Sequence, residues 1–112
     1  MVEMCVMMPI KKGQVRKLRE LGRIVSGPRS EEYRASNRKQ KVRKEMWFLQ
    51  KTSTGHVLIS FFDSESPSKA QGTFLKSNDP FDVWEREQLT AITGVDLHNL
   101  GELPENIMTI IC

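Results

Sequence analysis

The chain has 112 residues, of which 38% are hydrophobic, with 17 Lys and Arg against 14 Asp and Glu and two Cys. This length fits one domain, residues 1–112, which should bury roughly two-thirds of its unfolded surface in a single core. No apolar run approaches the ~20 residues that span a bilayer, no basic stretch precedes a long apolar one, and two Cys cannot build a disulfide framework. These features predict a cytoplasmic protein with no membrane contact.

The net charge of +3 is unevenly distributed along the chain. Residues 11–44 contain 13 basic and 3 acidic residues, a net +10, whereas the rest contains 4 basic and 11 acidic residues, a net −7. This asymmetry is typical of a nucleic-acid-binding surface, and equally of surfaces that neutralise each other within a fold or across a dimer. The sequence lacks the Gly and aromatic pattern of RNA-binding sheets. Binding of a nucleic acid or another polyanion by residues 11–44 is therefore an alternative, and a charge-complementary assembly is favoured.

The first third of the chain predicts a strand and then helices. Residues 2–10 are apolar at both alternate sets of positions, which is typical of a central strand buried on both faces. From about Gln14, apolar residues at spacings of three and four predict a helix that stops at residues 27–28. Ser30, with two acids behind it, predicts a further helix start, but residues 30–41 are so polar that they form either a solvated helix or a mobile loop.

The middle of the chain predicts an antiparallel hairpin. Residues 42–51 and 56–63 are rich in aromatic and β-branched residues and flank a turn at residues 52–55. Pairing of Lys51 with His56 defines two faces. One face, predicted to lie under helices, carries Met46, Phe48, Gln50, Val57, Ile59 and Phe61. The other carries Trp47, Leu49, Leu58 and Phe62, an apolar surface larger than a small monomer usually leaves in water, so we predict these four as a dimer interface.

The last third predicts two helices and a strand. Ser66 with Pro67 opens a helix to about residue 76, and Asp79 with Pro80 opens another that runs to Thr93. Residues 106–112 are β-prone and predict a final strand. The order is βαββαβ with an extra helix before the last strand, a ferredoxin-like α+β fold with the expected strand order 4-1-3-2.

This element order, the strand at residues 47–49 after a basic stretch, and the segment Ser-Asn-Asp-Pro-Phe-Asp at residues 77–82 resemble an uncharacterised family of small bacterial proteins. That family is assigned to the dimeric α/β-barrel superfamily, in which two ferredoxin-like sheets pack face to face. The resemblance implies a fold and a homodimer. It carries over no catalytic residue, because superfamily members include monooxygenases, heme-degrading enzymes, isomerases and proteins without known activity.

The helix beginning at Pro80 carries the most informative carboxylate. At 100° per residue, Glu85 and Gln88 fall in the arc of the apolar face, with Trp84 at its edge. Glu85 is a candidate general base or polar anchor in a pocket between helix and sheet, Gln88 a second anchor and Trp84 an apolar wall. Because burial of a charge costs several kcal/mol, the alternative that Glu85 reaches solvent or an Arg is favoured. Asp82 needs no role beyond pairing with the helix dipole.

The remaining candidates are polar groups with simpler alternatives. His56 and His98 are the only imidazoles and are candidate proton-transfer groups, although surface positions explain both. Tyr33 is predicted to cover the pocket or to anchor its polar helix. Cys5 is interpreted as a small buried hydrophobe, and Cys112 as reactive only through exposure. No phosphate loop, dinucleotide fingerprint or zinc spacing occurs, so neither a metal nor another cofactor is predicted.

These observations lead to three hypotheses. The leading one is a small-ligand-binding protein or cofactor-independent enzyme of the dimeric α/β-barrel type, with its site between the sheet and the helix of residues 80–93. The second is polyanion binding by residues 11–44. The third is a structural dimer without catalysis, and the sequence does not decide whether the chain is an enzyme.

Overall fold

Three strands and four helices make up the computed structural model, which describes residues 1–112. In chain order they are β1 (Val2–Ile10), α1 (Val15–Ser26), α2 (Ser30–Lys39), β2 (Val42–Thr52), β3 (Gly55–Ser64), α3 (Pro67–Lys76) and α4 (Pro80–Thr93), followed by a 3-10 turn at Leu97–Asn99. The architecture is α+β, as predicted. No helix has the combination of length and apolar character that crossing a membrane requires.

The hairpin has the predicted register. β2 and β3 are antiparallel, and Met46 lies opposite Phe61, Phe48 opposite Ile59, and Lys51 opposite His56. β1 pairs antiparallel with the other side of β3, which gives the sheet order β1-β3-β2. Helices α1 and α4 supply the main apolar cover, because their inward stripes meet the sheet in one core. The buried residues of these stripes include Leu18, Leu21, Val25, Phe81, Leu89 and Ile92.

Two strand predictions are wrong. β1 is an edge strand and not a central one, because residues 106–112 form no strand and leave it with a single neighbour. β-prone residues have side chains that fit a half-buried sheet surface. They form a strand only where the backbone pairs with a neighbouring strand. The flank of β1 is instead bordered by residues 100–104, which share a crevice with residues 5–7. Cys5 is consequently exposed and not buried.

The predicted assignment of the two sheet faces is also wrong. Leu58 is 1% exposed, and Trp47 and Leu49 pack against the same core, so the four residues predicted as a dimer interface lie beneath the helices of their own chain. Phe62 lines a cavity on that covered side. Ser60 donates a hydrogen bond to Glu45 on this face, which lowers the cost of covering these two polar residues with helices.

The open face is the other one. We use this term for the three-by-three grid of side chains that β1, β3 and β2 turn away from the helices. Its rows are Cys5, Phe61 and Met46; Met7, Ile59 and Phe48; and Pro9, Val57 and Gln50. Eight of these nine residues are apolar, and Met7 and Phe48 are 61% and 50% exposed.

Residues 30–39 form a helix and not a loop. α2 buries only Ser36 fully, so its own apolar stripe does not explain its stability. Tyr33 supplies the contact that the rest of the helix lacks, since its ring packs edge-on against Trp47 and Phe81 at centroid distances of 6.3 and 6.2 Å.

Two glycines should respond in opposite ways to alanine. Gly94 ends α4 with φ of 71°, and an added Cβ would lie 3.0 Å from the Lys11 side chain. We expect Gly94→Ala to lower the free energy of unfolding by about 1–2 kcal/mol, measured by urea denaturation. Gly72 lies in α3 with open space around its Cα. Gly72→Ala should raise the free energy of unfolding by about 0.5–1 kcal/mol. Equal effects of the two substitutions would contradict the cap geometry.

Candidate functional site

An inner cavity of about 110 Å³ lies between the covered sheet face and the helices. Of its 19 lining residues 13 are hydrophobic, and they come from all three strands, from α3 and α4, and from the segment after α4. The six polar residues that line it are Asn37, Gln40, Glu45, Ser60, Gln71 and Glu85. The cavity is therefore an apolar space with a small number of convergent polar groups, the composition of small-molecule sites.

Glu85 is the buried acid of this cavity. It lies one turn after Phe81 and one turn before Leu89 on α4, so the helix repeat carries it inward with the apolar stripe. It is 5% exposed, and no protein group donates a hydrogen bond to its carboxyl. Burial, followed by the negative charges of Glu45 and Asp82, raises its pKa well above the usual 4.5. These surroundings favour the protonated form, which can donate a hydrogen bond.

Glu45 is a second carboxyl in different surroundings. Its Oε2 accepts hydrogen bonds from Trp47 Nε1 at 2.9 Å and from Ser60 Oγ at 3.2 Å. The two donors fix its position on β2. The cavity therefore contains one hydrogen-bonded carboxyl and one without a partner, and unequal carboxyl environments are the basis of separate acid and base roles. Sequence reasoning missed Glu45 because the face of β2 that carries it was predicted to be a dimer interface and not the wall of a cavity.

Tyr33 lies behind the cavity and does not line it. It faces a separate polar groove of about 380 Å³ between α1 and α2, and Glu45 and Trp47 line both spaces. Burial, followed by the negative charges of Glu45 and Glu85, raises the pKa of Tyr33 well above 10.0. Its phenol therefore stays neutral, and Tyr33 anchors α2, which is the second of its two predicted roles.

Trp84 and Gln88 do not line the cavity either. The Trp84 ring lies 4.2 Å from the guanidinium carbon of Arg29 and 5.7 Å from the Phe81 ring, on the flank of α4. The cause is helical geometry. Trp84 and Gln88 lie one turn apart and point in similar directions, which are roughly 60–100° away from the direction of Glu85 on the helix. The predicted wall and second anchor therefore lie beside Glu85 but outside its cavity.

Neither imidazole lies among the residues that line the cavity. His56 pairs with Ile10 and Lys51 at the hairpin end, four residues and about 13 Å along β3 from Ser60. His98 is exposed, and its Nε2 lies 3.2 Å from the carbonyl oxygen of Leu75. The structure does not bring either predicted proton-transfer group to Glu85.

Asp82 holds α2 and α4 together. This residue is 1% exposed, and its carboxylate accepts hydrogen bonds from Ser36 Oγ at 2.5 Å, Ser77 Oγ at 2.5 Å and Lys39 Nζ at 2.7 Å. Burial alone would raise its pKa, but these three donors outweigh burial and lower the pKa below the usual 3.8. The interpretation of Asp82 as a helix-dipole residue is therefore incomplete. The sequence signal for this role is the second acid itself, since Asp82 follows the capping Asp79 by only three residues.

The basic stretch is partly neutralised within the fold. Five of its 13 basic residues form ion pairs: Arg23 with Glu20, Arg29 with Glu32, Arg34 with Glu31, Lys39 with Asp79 and Asp82, and Arg43 with Asp63. Lys39 and Arg43 reach acids outside residues 11–44. Contacts between segments of one chain thus offset part of the positive charge of residues 11–44.

The side chains around the cavity provide carboxyl, amide and hydroxyl groups. No group of three or more His, Cys, Asp or Glu residues is placed to hold a metal ion. Comparisons with family models, with curated proteins and with solved structures give no match to the chain.

Proposed function

We propose that the chain is a small-ligand-binding protein, or a cofactor-independent enzyme, whose site is the inner cavity. The observation that carries the proposal is the Glu85 carboxyl, 5% exposed and without a hydrogen-bond partner in an otherwise apolar space. Its carboxyl borders the cavity and makes no hydrogen bond within the chain, so protein donors do not offset the cost of burying its charged form. Groups that carry such a cost concentrate at functional sites, where a ligand supplies the missing partner.

The size and lining of the cavity define a ligand class. A cavity of about 150 Å³ holds benzene. A space of about 110 Å³ accepts a slightly smaller group, or the end of a longer molecule. Apolar walls select hydrocarbon surface, and a protonated Glu85 selects a hydrogen-bond acceptor. The ligand is therefore a small carbonyl compound, or the carbonyl-bearing end of a larger one.

The two carboxyls support one class of reaction, enolisation. Glu85 donates its proton to the carbonyl oxygen while Glu45 accepts a proton from the adjacent carbon, which converts the ketone to its enol with no net change in protons. The hydrogen bonds from Trp47 and Ser60 hold Glu45 in place and leave its other oxygen available. No cofactor is needed for this step.

Binding is tested with cyclopentanone and its hydrocarbon analogue by NMR chemical-shift perturbation at millimolar concentration. We expect the ketone to shift the resonances of Leu89 and Ser60 and to bind better than the hydrocarbon. Glu85→Leu should weaken ketone binding at least tenfold. Glu87→Gln, an exposed change two residues away on α4, is the matched control and should bind as the wild type does. Equal binding of ketone and hydrocarbon, or full binding by Glu85→Leu, would overturn the proposal.

We also propose that the sheet is the 1-3-2 part of a ferredoxin-like order and that two copies pack sheet to sheet. The eight apolar residues of the open face support this assembly, because exposed apolar surface of this extent marks protein contact sites. The contact surface is then the open face and not the four residues predicted from the sequence. A homodimer of this kind is a dimeric α/β barrel.

Polyanion binding is less well supported. Two residues of the basic stretch are engaged with acids outside it, since Lys39 binds Asp82 and Arg43 binds Asp63. Each occupied cation removes one phosphate contact from a nucleic-acid surface.

A further inference from the structure

The exposed large hydrophobic residues of the chain occur in only two places. One group lies on the sheet or directly before it: Met1, Val2, Met7, Met46 and Phe48. The other belongs to the final segment, residues 106–112, where Ile107, Met108, Ile110 and Ile111 are 73–93% exposed. If two copies of the chain associate, the apolar final segment of one copy can cover apolar surface on the sheet of the other.

We infer that the final segment is the fourth strand of the sheet and that it pairs with the β1 edge of a second copy. β1 is paired with β3 along all nine residues and has no neighbour on its other side. Such an edge presents a row of unpaired N–H and C=O groups, which is a template for another strand. The final segment is rich in Ile and contains neither Pro nor Gly, so it fits that template. This inference rests on the proposed dimer.

The structure favours a second copy over the segment's own β1. Residues 100–104 already border residues 5–7 of the same chain, in a crevice that Gln71 of α3 also lines. Every residue from 106 to 112 is exposed, so none of them packs on its own sheet. In a twofold dimer both segments exchange at once, and each free edge is covered.

The area needed for a stable dimer also calls for the segment. A grid of three strands by three alternate residues covers roughly 300 Å². A standard interface buries about 800 Å² on each partner. The plan area of the open face is less than half of that value, and the final segment adds four large apolar side chains.

The two cysteines report on the exchange directly. Both are exposed, Cys5 on β1 and Cys112 at the end of the final segment. Antiparallel pairing that places Cys112 opposite Cys5 also places Ile110 opposite Met7 and Ile107 opposite Ile10. Residues opposite each other in such a pair have Cα atoms about 4.5–5.5 Å apart, within the range that a disulfide spans.

Mild oxidation of the full chain tests the exchange. We expect a covalent dimer whose tryptic peptides contain a disulfide between Cys5 of one copy and Cys112 of the other. Cys5→Ser and Cys112→Ser should each abolish this species. An intramolecular disulfide in a monomer would show that the segment pairs with its own β1 and would overturn the inference.

Light scattering separates failure of the exchange from failure of the dimer. We expect the wild type to be a dimer, and Phe48→Asp on the open face and Ile110→Asp in the segment each to shift it at least tenfold toward monomer. Glu105→Gln, next to the segment, is the matched control. A dimeric wild type that forms no Cys5–Cys112 disulfide, together with an Ile110→Asp variant as dimeric as the wild type, would overturn the exchange and leave the proposed dimer standing. A monomeric wild type would overturn both.

Discussion

Asp82→Ala should lower the free energy of unfolding by about 1–3 kcal/mol, the cost of leaving buried hydrogen-bond donors without their acceptor, since Lys39 is itself half-exposed and can be solvated. The carboxylate receives hydrogen bonds from Ser36, Ser77 and Lys39, and all three donors lose their acceptor together. Lys39 and Ser36 belong to α2, so the loss also loosens this helix, which has little apolar contact of its own.

Urea denaturation at pH 7 measures this effect, with Glu87→Ala as the exposed control on α4 at an expected change within about 0.5 kcal/mol. The pH dependence has a definite sign. The pKa of Asp82 is lowered from 3.8, so its stabilising contribution is complete above that value and is lost as pH falls through the lower pKa of the folded state. A loss below about 1 kcal/mol for Asp82→Ala would contradict the assigned role.

Glu85→Leu should have the opposite effect and raise the free energy of unfolding by about 1–3 kcal/mol at pH 8, since it removes a buried carboxyl without a partner. The pKa of Glu85 is raised in the folded protein, so its favourable contribution is complete below the unfolded value of 4.5 and is lost as pH rises through the raised pKa. The leucine side chain does not titrate. The gain over the wild type should therefore grow with pH.

Thermal or urea denaturation at several pH values measures this gain, again with Glu87→Gln as the control. A gain in stability together with loss of ketone binding is the result expected of a functional residue that costs stability. A stability difference that is constant with pH, or that falls as pH rises, would show that the Glu85 carboxyl is not buried in its neutral form.

Local features of the fold could be predicted from the sequence. The stripe that includes Leu18 and Leu21 predicts α1, and Asp79 with Gly94 predicts both ends of α4. The hairpin register follows from the turn and the strand composition. Each of these depends on neighbours within a few residues, which the sequence shows directly.

Long-range features could not be predicted in the same way. Both sheet faces are apolar, so composition does not show which one the helices cover. The covered face is the one on which Ser60 donates a hydrogen bond to Glu45, a contact across two strands that the sequence does not show. β1 lies at the edge because residues 106–112 do not pair with its free side, and no local pattern in the sequence shows that they stay unpaired.

In the candidate site, too, local features could be predicted from the sequence and long-range contacts could not. Helix geometry places Glu85 inward, although the cost of burial favoured a solvent position. Trp84 and Gln88 fall outside the cavity because an arc of about 100° on a helix wheel includes residues that face different neighbours. The histidines are separated from Glu85 by tertiary structure that no spacing in the sequence shows.

A carbon-13 NMR titration of the Glu85 carboxyl in the full chain, with and without cyclopentanone, tests the proposed site at the atom that defines it. We predict a midpoint well above the usual 4.5, and a further upward shift with the ketone, because the ligand accepts a hydrogen bond only from the protonated acid. A midpoint at or below 4.5, unchanged by the ketone, would contradict the assignment of the inner cavity as a ligand site.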